Sequence, residues 1–339
     1  MIIDRYYYHQ LNKREQAIYK AFYDGVKDFK DVIPVPVRGI ITEETFNKVF
    51  HAITRDNPLI YYLNQTACYM ARDAFGHNAI CPKYFLEKKK VKEYNRKIES
   101  VVNKLAGELN LTECSDYDKV LRVHDWMCQN VTYDEKGDDK NDPVRVISCH
   151  NIIGVFAHHK AQCEGIAKAV KVLLNAVDVK CIVATGNADG NGQNGPHAWN
   201  IVSIENKAYQ LDVTWDIGAV GNNKDRDAYD YFNLTDEMMY KDHTADSKLP
   251  VCDSTEMNYF RKNKLVFKSR TMLLAYIDLS LRKGKKDFYL QLDGRLKLED
   301  VVKDISDMAA KILSSRGSRG IRIQHSLNDK IRTCWVRVN

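Results

Sequence analysis

Cys163 sits in Lys160-Ala-Gln-Cys-Glu-Gly165, just where apolar residues begin to recur at helical spacing: Ile166, Val170, Leu173, Leu174 and Val177. A cysteine in the first turn of a helix meets unpaired backbone N–H groups and the positive end of the helix dipole. Both favour the thiolate, which is the reactive form. The same N–H groups can hold an oxyanion as it develops. Gly165 is expected to keep the backbone open beside the thiol. Taken alone, a helix-start cysteine is more often a buried and inert residue. Two further features change that balance.

His197 opens a strand in Pro196-His-Ala-Trp-Asn200, and Asp212 lies in Tyr209-Gln-Leu-Asp-Val-Thr-Trp-Asp216. With Glu205-Asn206 as a two-residue turn, Ile204 faces Lys207 and Trp199 faces Asp212. His197 and Asp212 then share a face as diagonal neighbours, about 7–8 Å apart at the backbone. A carboxylate that orients an imidazole, which in turn activates a thiol, is the apparatus of nucleophilic acyl transfer.

The elements that must hold these residues follow from periodicity and punctuation. Asn12 and Glu15 form a capping box before Ile18, Ala21, Phe22 and Gly25, and Pro34 and Pro36 force an extended link. Thr42 opens a second helix that Asn57-Pro58 closes, and residues 87–105 form a charged helix, so the first hundred residues read as mainly helical. A helix from Ser115 carries Tyr117, Val120, Leu121, His124 and Met127 on one stripe, with His124 read as a hydrogen-bonded core histidine. After the Cys163 helix come a strand at 181–185, a Gly/Asn-rich loop at 186–195 forming a flexible rim beside His197, and strands at 198–204 and 207–215. A helix followed by a sheet in this order is an α+β pattern. Beyond residue 250 a helix at 271–281, a strand at 288–292, a helix at 298–313 and a hairpin pairing 321–325 with 332–338 around Asn328-Asp329 make a small module without catalytic residues.

The segments Gln162-Cys-Glu-Gly-Ile-Ala167, His197-Ala-Trp-Asn200 and Leu211-Asp-Val-Thr-Trp-Asp216 resemble the transglutaminase-like superfamily, whose papain-like core uses a Cys-His-Asp site. Val123-His-Asp-Trp-Met-Cys-Gln-Asn-Val-Thr-Tyr133 and Tyr229-Asp-Tyr-Phe-Asn233 add to the match, and Asp56-Asn-Pro58 resembles the helical leader of bacterial members. The resemblance implies Cys163 as nucleophile, His197 as base and acid, and Asp212 as orienter, on a helix packed against an antiparallel sheet. It runs over about residues 115–245 and is weaker before and absent after. Glu164 stands where animal transglutaminases carry an aromatic residue, and the flanking β-domains of those enzymes are missing. Hydrolysis of peptide or carboxamide substrates through a thioester is therefore expected ahead of crosslinking by amine transfer. A silent binding or scaffold protein of the same fold is the alternative from another class.

The 339 residues, 44% hydrophobic and 28% charged, describe an ordinary globular chain divided into a helical region at 1–110, a catalytic domain at 111–250 and an accessory module at 251–339. No apolar run reaches the length of a membrane span, about 18 residues, so no membrane association is expected. The opening residues carry no apolar stretch of a secretory signal, although a signal removed from the chain would leave no trace. Nine cysteines at irregular spacing, without a CxxC pair, point to a reducing cytoplasm rather than a disulfide framework. Cys149, His150, His158, His159 and Cys163 match no common zinc spacing, and residues 186–195 lack the Lys-Ser/Thr of a phosphate loop, so neither metal nor organic cofactor is expected. The net charge of +6 is mild; basic clusters at 88–92, 282–286 and 316–322 read as solvated faces, which disfavours a nucleic-acid partner. Trp126, Trp199 and Trp215 are expected in the core, with Trp199 near enough to border the cleft. A protein or peptide substrate is the expected partner, and the oligomeric state is left open.

Overall fold

In a computed structural model, residues 5–64, 66–137, 139, 143–190, 192–221, 226–315 and 320–339 are described; part of the basic cluster at 316–322 lies outside them. The first long helix, Lys13–Lys27, starts at the expected capping box: Asn12 Oδ1 accepts from Glu15 N and Glu15 Oε2 from Asn12 N, each at 2.9 Å. Its buried stripe of Ile18, Tyr19, Phe22 and Val26 packs on Glu43–Asp56, whose N-cap is Thr42. Gly25 permits the strand Ile33–Val35 to lie against this helix, because a Cβ there would stand 2.4 Å from Ile33 Cγ1. That strand belongs to a three-stranded antiparallel sheet with Asn78–Cys81 and Tyr69–Arg72, an addition to the mainly helical expectation. Strands of three and four residues carry too few alternations to register as a period, and Pro34 is tolerated because Ile33–Val35 is an edge strand.

The centre is an α+β arrangement, as expected. The helix Cys163–Ala176, buried almost all round from Gly165 to Asn175, packs across a four-stranded antiparallel sheet ordered Lys207–Leu211, Gln193–Ile204, Cys181–Gly190, His243–Ala245. Glu205 and Asn206 have φ of +51° and +64°, the left-handed pair of a tight hairpin, and set the expected register of Ile204 opposite Lys207. The flexible loop expected at 186–195 is instead strand over 186–190 and 193–195, since pairing continues from Gly186–His197 to Gly190–Gln193. A strongly apolar ladder at 181–185 carries its weakly β-forming extension along. The strand expected at 207–215 stops at Leu211, where the Asp212 side chain caps the helix Val213–Val220 by accepting from Trp215 N at 3.1 Å.

Apolar contacts run in one cluster from Tyr7 through Ile53, Val170 and Leu211 to Phe260, so the N-terminal helices and the central sheet share a core. A separate cluster of Leu273, Ile277, Phe288, Leu290 and Ile305 fills the C-terminal module. There the helices Arg270–Arg282 and Leu298–Ser314 cover a four-stranded sheet ordered Val266–Phe267, Asp287–Leu292, Thr333–Val338, Ile323–Asn328. Its final hairpin turns over residues 329–332 rather than at Asn328-Asp329, with Arg332 at φ +60°. Among the described residues all nine cysteines are free, and no helix is long and apolar enough to cross a membrane.

Candidate active site

Cys163 is the first residue of its helix, and Gln162 before it has extended backbone and supplies no side-chain cap. The N–H groups of the first turn are thus left without a side-chain acceptor at the thiol. Gly165 acts differently from the expectation. A Cβ there would meet Cys149 O at 2.4 Å, so the glycine lets the helix close onto residues 149–151 rather than opening space beside the sulfur.

His197 lies opposite Gly186, at a point where strand His243–Ala245 presses so close that a Cβ on Gly186 would fall 1.8 Å from Thr244 O. Its Nε2 is 2.6 Å from Asp212 Oδ2, and Cys163 is its neighbour on the cleft side. Trp199 stacks behind the imidazole, with centroids 6.1 Å apart, and gives its Nε1–H to Gln210 at 2.7 Å. At 1% exposure Trp199 is core and supports the site from behind without bordering the cleft. Burial disfavours the His197 imidazolium, but Asp212 and Cys163 outweigh it and raise the pKa to about 10. Burial likewise pushes the Asp212 carboxyl up, and the two histidines on it hold it well below the ordinary carboxylate range.

The second of those histidines is His243, which sequence reasoning missed. Its Nε2 lies 3.1 Å from Asp212 Oδ2 and its Nδ1 2.6 Å from Asp242 Oδ1, while Tyr231 Oη donates to Asp242 Oδ2 at 2.7 Å. A chain of contacts therefore leads from Cys163 through His197, Asp212, His243 and Asp242 to Tyr231. The available signal was faint: a histidine after an aspartate in a polar stretch, Lys241 to Asp246, on a strand of three residues.

Cys163, half-buried, and His197 line an open cleft of about 510 Å³. Glu164 borders it too, in a 2.6 Å ion pair with Lys168, and makes that wall polar. His51, Thr54 and Arg55 of the N-terminal region form the opposite side. That region is fastened by Arg55–Asp246 at 2.8 Å and by Tyr7 Oη donating to Val183 O at 2.7 Å.

His124 is the core histidine expected. It lies 3.0 Å from both Asp125 and Asp216, and Cys128 Sγ is 3.6 Å from its Nε2. This second Cys-His-Asp cluster is buried, with Cys128, His124 and Asp216 at 4% exposure or less, and none of the three lines the cleft. Among the described residues, the donors gathered closely enough to take a metal ion are His197, Asp212 and His243, whose ligand atoms lie within 4.8 Å of one another. All three are already committed to hydrogen bonds among themselves. Cys149, His150, His158, His159 and Cys163 form no such group.

Comparison with known proteins places part of this chain beside a known family. Residues 103–212 match the model of the transglutaminase-like superfamily, a span that holds all of Cys163, His197 and Asp212. The chain is 24% identical over 163 residues to the kyphoscoliosis peptidase of Mus musculus and 24% over 162 residues to that of Homo sapiens. Each match covers 44% of this chain and 24% of the relative, so the chain spans about a quarter of those proteins. Among solved structures, a TGase aligns at TM-score 0.31 and 15% identity, covering 54% of this chain and 50% of that one. A putative cysteine protease from Cytophaga hutchinsonii aligns at TM-score 0.28 and 12% identity, covering 43% and 61%. Residues 103–212, the larger part of the α+β centre, are a transglutaminase-like superfamily domain.

Proposed function

We propose that the chain is a cysteine hydrolase that cleaves peptide or carboxamide bonds through a thioester. The observation that carries this reading is the 2.6 Å contact from Asp212 to His197, whose ring also meets Cys163 at the mouth of an open cleft. The Cys163 thiolate attacks the carbonyl carbon, forming the C–S bond, and the oxyanion is held by first-turn N–H groups. His197 gives its proton to the amine nitrogen as the C–N bond breaks. The neutral imidazole then takes a proton from water, whose oxygen attacks the thioester, and the acid leaves as the C–S bond breaks. Asp212 holds the ring in place and balances its charge throughout.

Water is favoured over an amine as second nucleophile because the cleft is open and bordered by the Glu164–Lys168 pair. A transferase must keep water from its thioester. The peptidase name of the mammalian relatives points the same way. A reducing compartment suits nine free thiols, one of them catalytic. The test is partition of an activated amide with and without a saturating lysine analogue. Free acid as the main product in both supports hydrolysis, whereas a dominant amine adduct assigns amine transfer to the same three residues. Product of neither kind, with Cys163→Ala indistinguishable from the parent chain, rejects the enzyme reading.

A further inference from the structure

A second cavity, of about 610 Å³, lies beside the cleft and shares Thr54, His150, Glu164 and Lys168 with it. Beyond that polar rim its walls are mainly apolar, with Ile60, Tyr61, Leu63 and Phe85 from the N-terminal region and Val146 and Ile147 from the helix Pro143–Cys149, interrupted by Asn57, Thr66 and Asn151. Phe85 keeps 37% of its surface exposed, and its backbone is held by donation from its N–H to Tyr62 O at 2.9 Å. A partly exposed aromatic residue thus borders a mainly apolar space, where a solvent-facing loop would ordinarily carry a polar one.

We infer that this cavity binds a bulky apolar side chain of the peptide substrate, which makes the N-terminal region the specificity element of the enzyme. The inference rests on the hydrolase reading above and adds the substrate class to it. Three observations carry it. The volume falls within the range of ligand pockets, about 300–1,000 Å³, and apolar walls with a few polar groups at the mouth are the usual make-up of such sites. Glu164, the residue after the nucleophile, and Lys168 one turn on line both the cavity and the cleft, so a chain whose carbonyl reaches Cys163 has the cavity within reach of a neighbouring side chain. The pair Glu164–Lys168, with His150 Nδ1 at 3.7 Å from Glu164 Oε2, offers a donor and an acceptor for the peptide backbone while the side chain turns inward.

Binding separates this inference from catalysis. Cys163→Ala protein is titrated with fluorescent peptides in which one position at a time is Ser, Ala, Leu or Phe, and affinity is read by anisotropy. One position is expected to prefer Leu or Phe over Ser by about tenfold or more, the discrimination that an apolar pocket provides. Adding Ile147→Trp, which fills the space, should abolish that preference. Ile147→Ala, which enlarges it, should shift the preference toward Phe and serves if the filled variant folds poorly. Equal affinity for all four residues at every position overturns the inference, as does a preference untouched by both Ile147 variants. So does decanoate binding that Ile147→Trp abolishes while the peptides show no preference, because the occupant is then a free acyl chain. Failure of the hydrolase reading appears elsewhere, as loss of amide turnover in the parent chain.

Discussion

Asp212 offers one oxygen to two histidines: His197 at 2.6 Å on the cleft side and His243 at 3.1 Å on the buried side. Burial lowers the pKa of His243, and hydrogen bonding to Asp212 and Asp242 outweighs this and raises it. A protonated His243 balances the two acidic side chains and fixes the carboxylate that fixes His197. His243→Gln is therefore expected to lower kcat about ten- to a hundredfold, matching about 1–3 kcal/mol of charge-assisted hydrogen bonding, with KM nearly unchanged. Steady-state kinetics with a pH profile distinguishes orientation from general damage. A loss shared between kcat and KM, with an unshifted profile, assigns His243 to packing alone.

Cys163 should be the thiol that iodoacetamide reaches first at neutral pH. It is half-buried on the cleft, whereas Cys128 and Cys252 are buried in the core and burial pushes both of their thiols up. Site-resolved mass spectrometry is expected to show Cys163 modified at least about tenfold faster than either. His197→Ala should slow it toward the rate of an ordinary surface thiol. Equal rates across the three cysteines would remove the nucleophile assignment.

The raised pKa of His197 links stability to pH. The folded value, about 10, exceeds the unfolded histidine value of about 6.5, so the folded protein binds the extra proton between them. The stabilisation is full below about pH 6.5 and is lost as pH climbs toward 10. Urea unfolding at pH 6, 8 and 10 is expected to show a falling midpoint, and His197→Gln should flatten that part of the slope. A midpoint that rises with pH in the parent chain contradicts the ion pair.

Asp212 has two duties, and two substitutions divide them. It orients His197 and also caps Val213–Val220 through Trp215 N. Asp212→Asn keeps an acceptor for the cap but loses the charge, so kcat should fall by about 10²–10⁴ with a small change in stability. Asp212→Ala should lose similar activity and, in addition, about 1 kcal/mol of cap stabilisation. Thermal unfolding beside single-turnover rates checks both.

Much of the candidate site was legible because its determinants are local. The Glu205-Asn206 turn fixes which residues of the hairpin face each other, and a helix that begins at Cys163 fixes where the thiol stands. The end of the second strand was misjudged because Asp212 suits a polar strand face as well as a helix cap, and only the tertiary setting decides. His243 was illegible for another reason: a strand of three residues has no period, and its partner is set by contacts that span about sixty positions. The N-terminal wall was out of reach likewise, since nothing local to His51, Thr54 or Arg55 tells of a cleft contributed by residues over a hundred positions away.

The helix Val213–Val220 has a consequence for how the molecule fails. Asp212 at its start holds the imidazole, and Asp216, one turn later, accepts from His124 at 3.0 Å and from Tyr231 N at 3.1 Å. The open site and the buried Cys128–His124–Asp216 cluster are therefore bolted to a single eight-residue helix. The orienting carboxylate cannot drift without dragging a side chain locked in the core. Heat should not disarm the site first and melt the scaffold later; inactivation and global unfolding are expected to share one midpoint, since the site borrows its rigidity from the core.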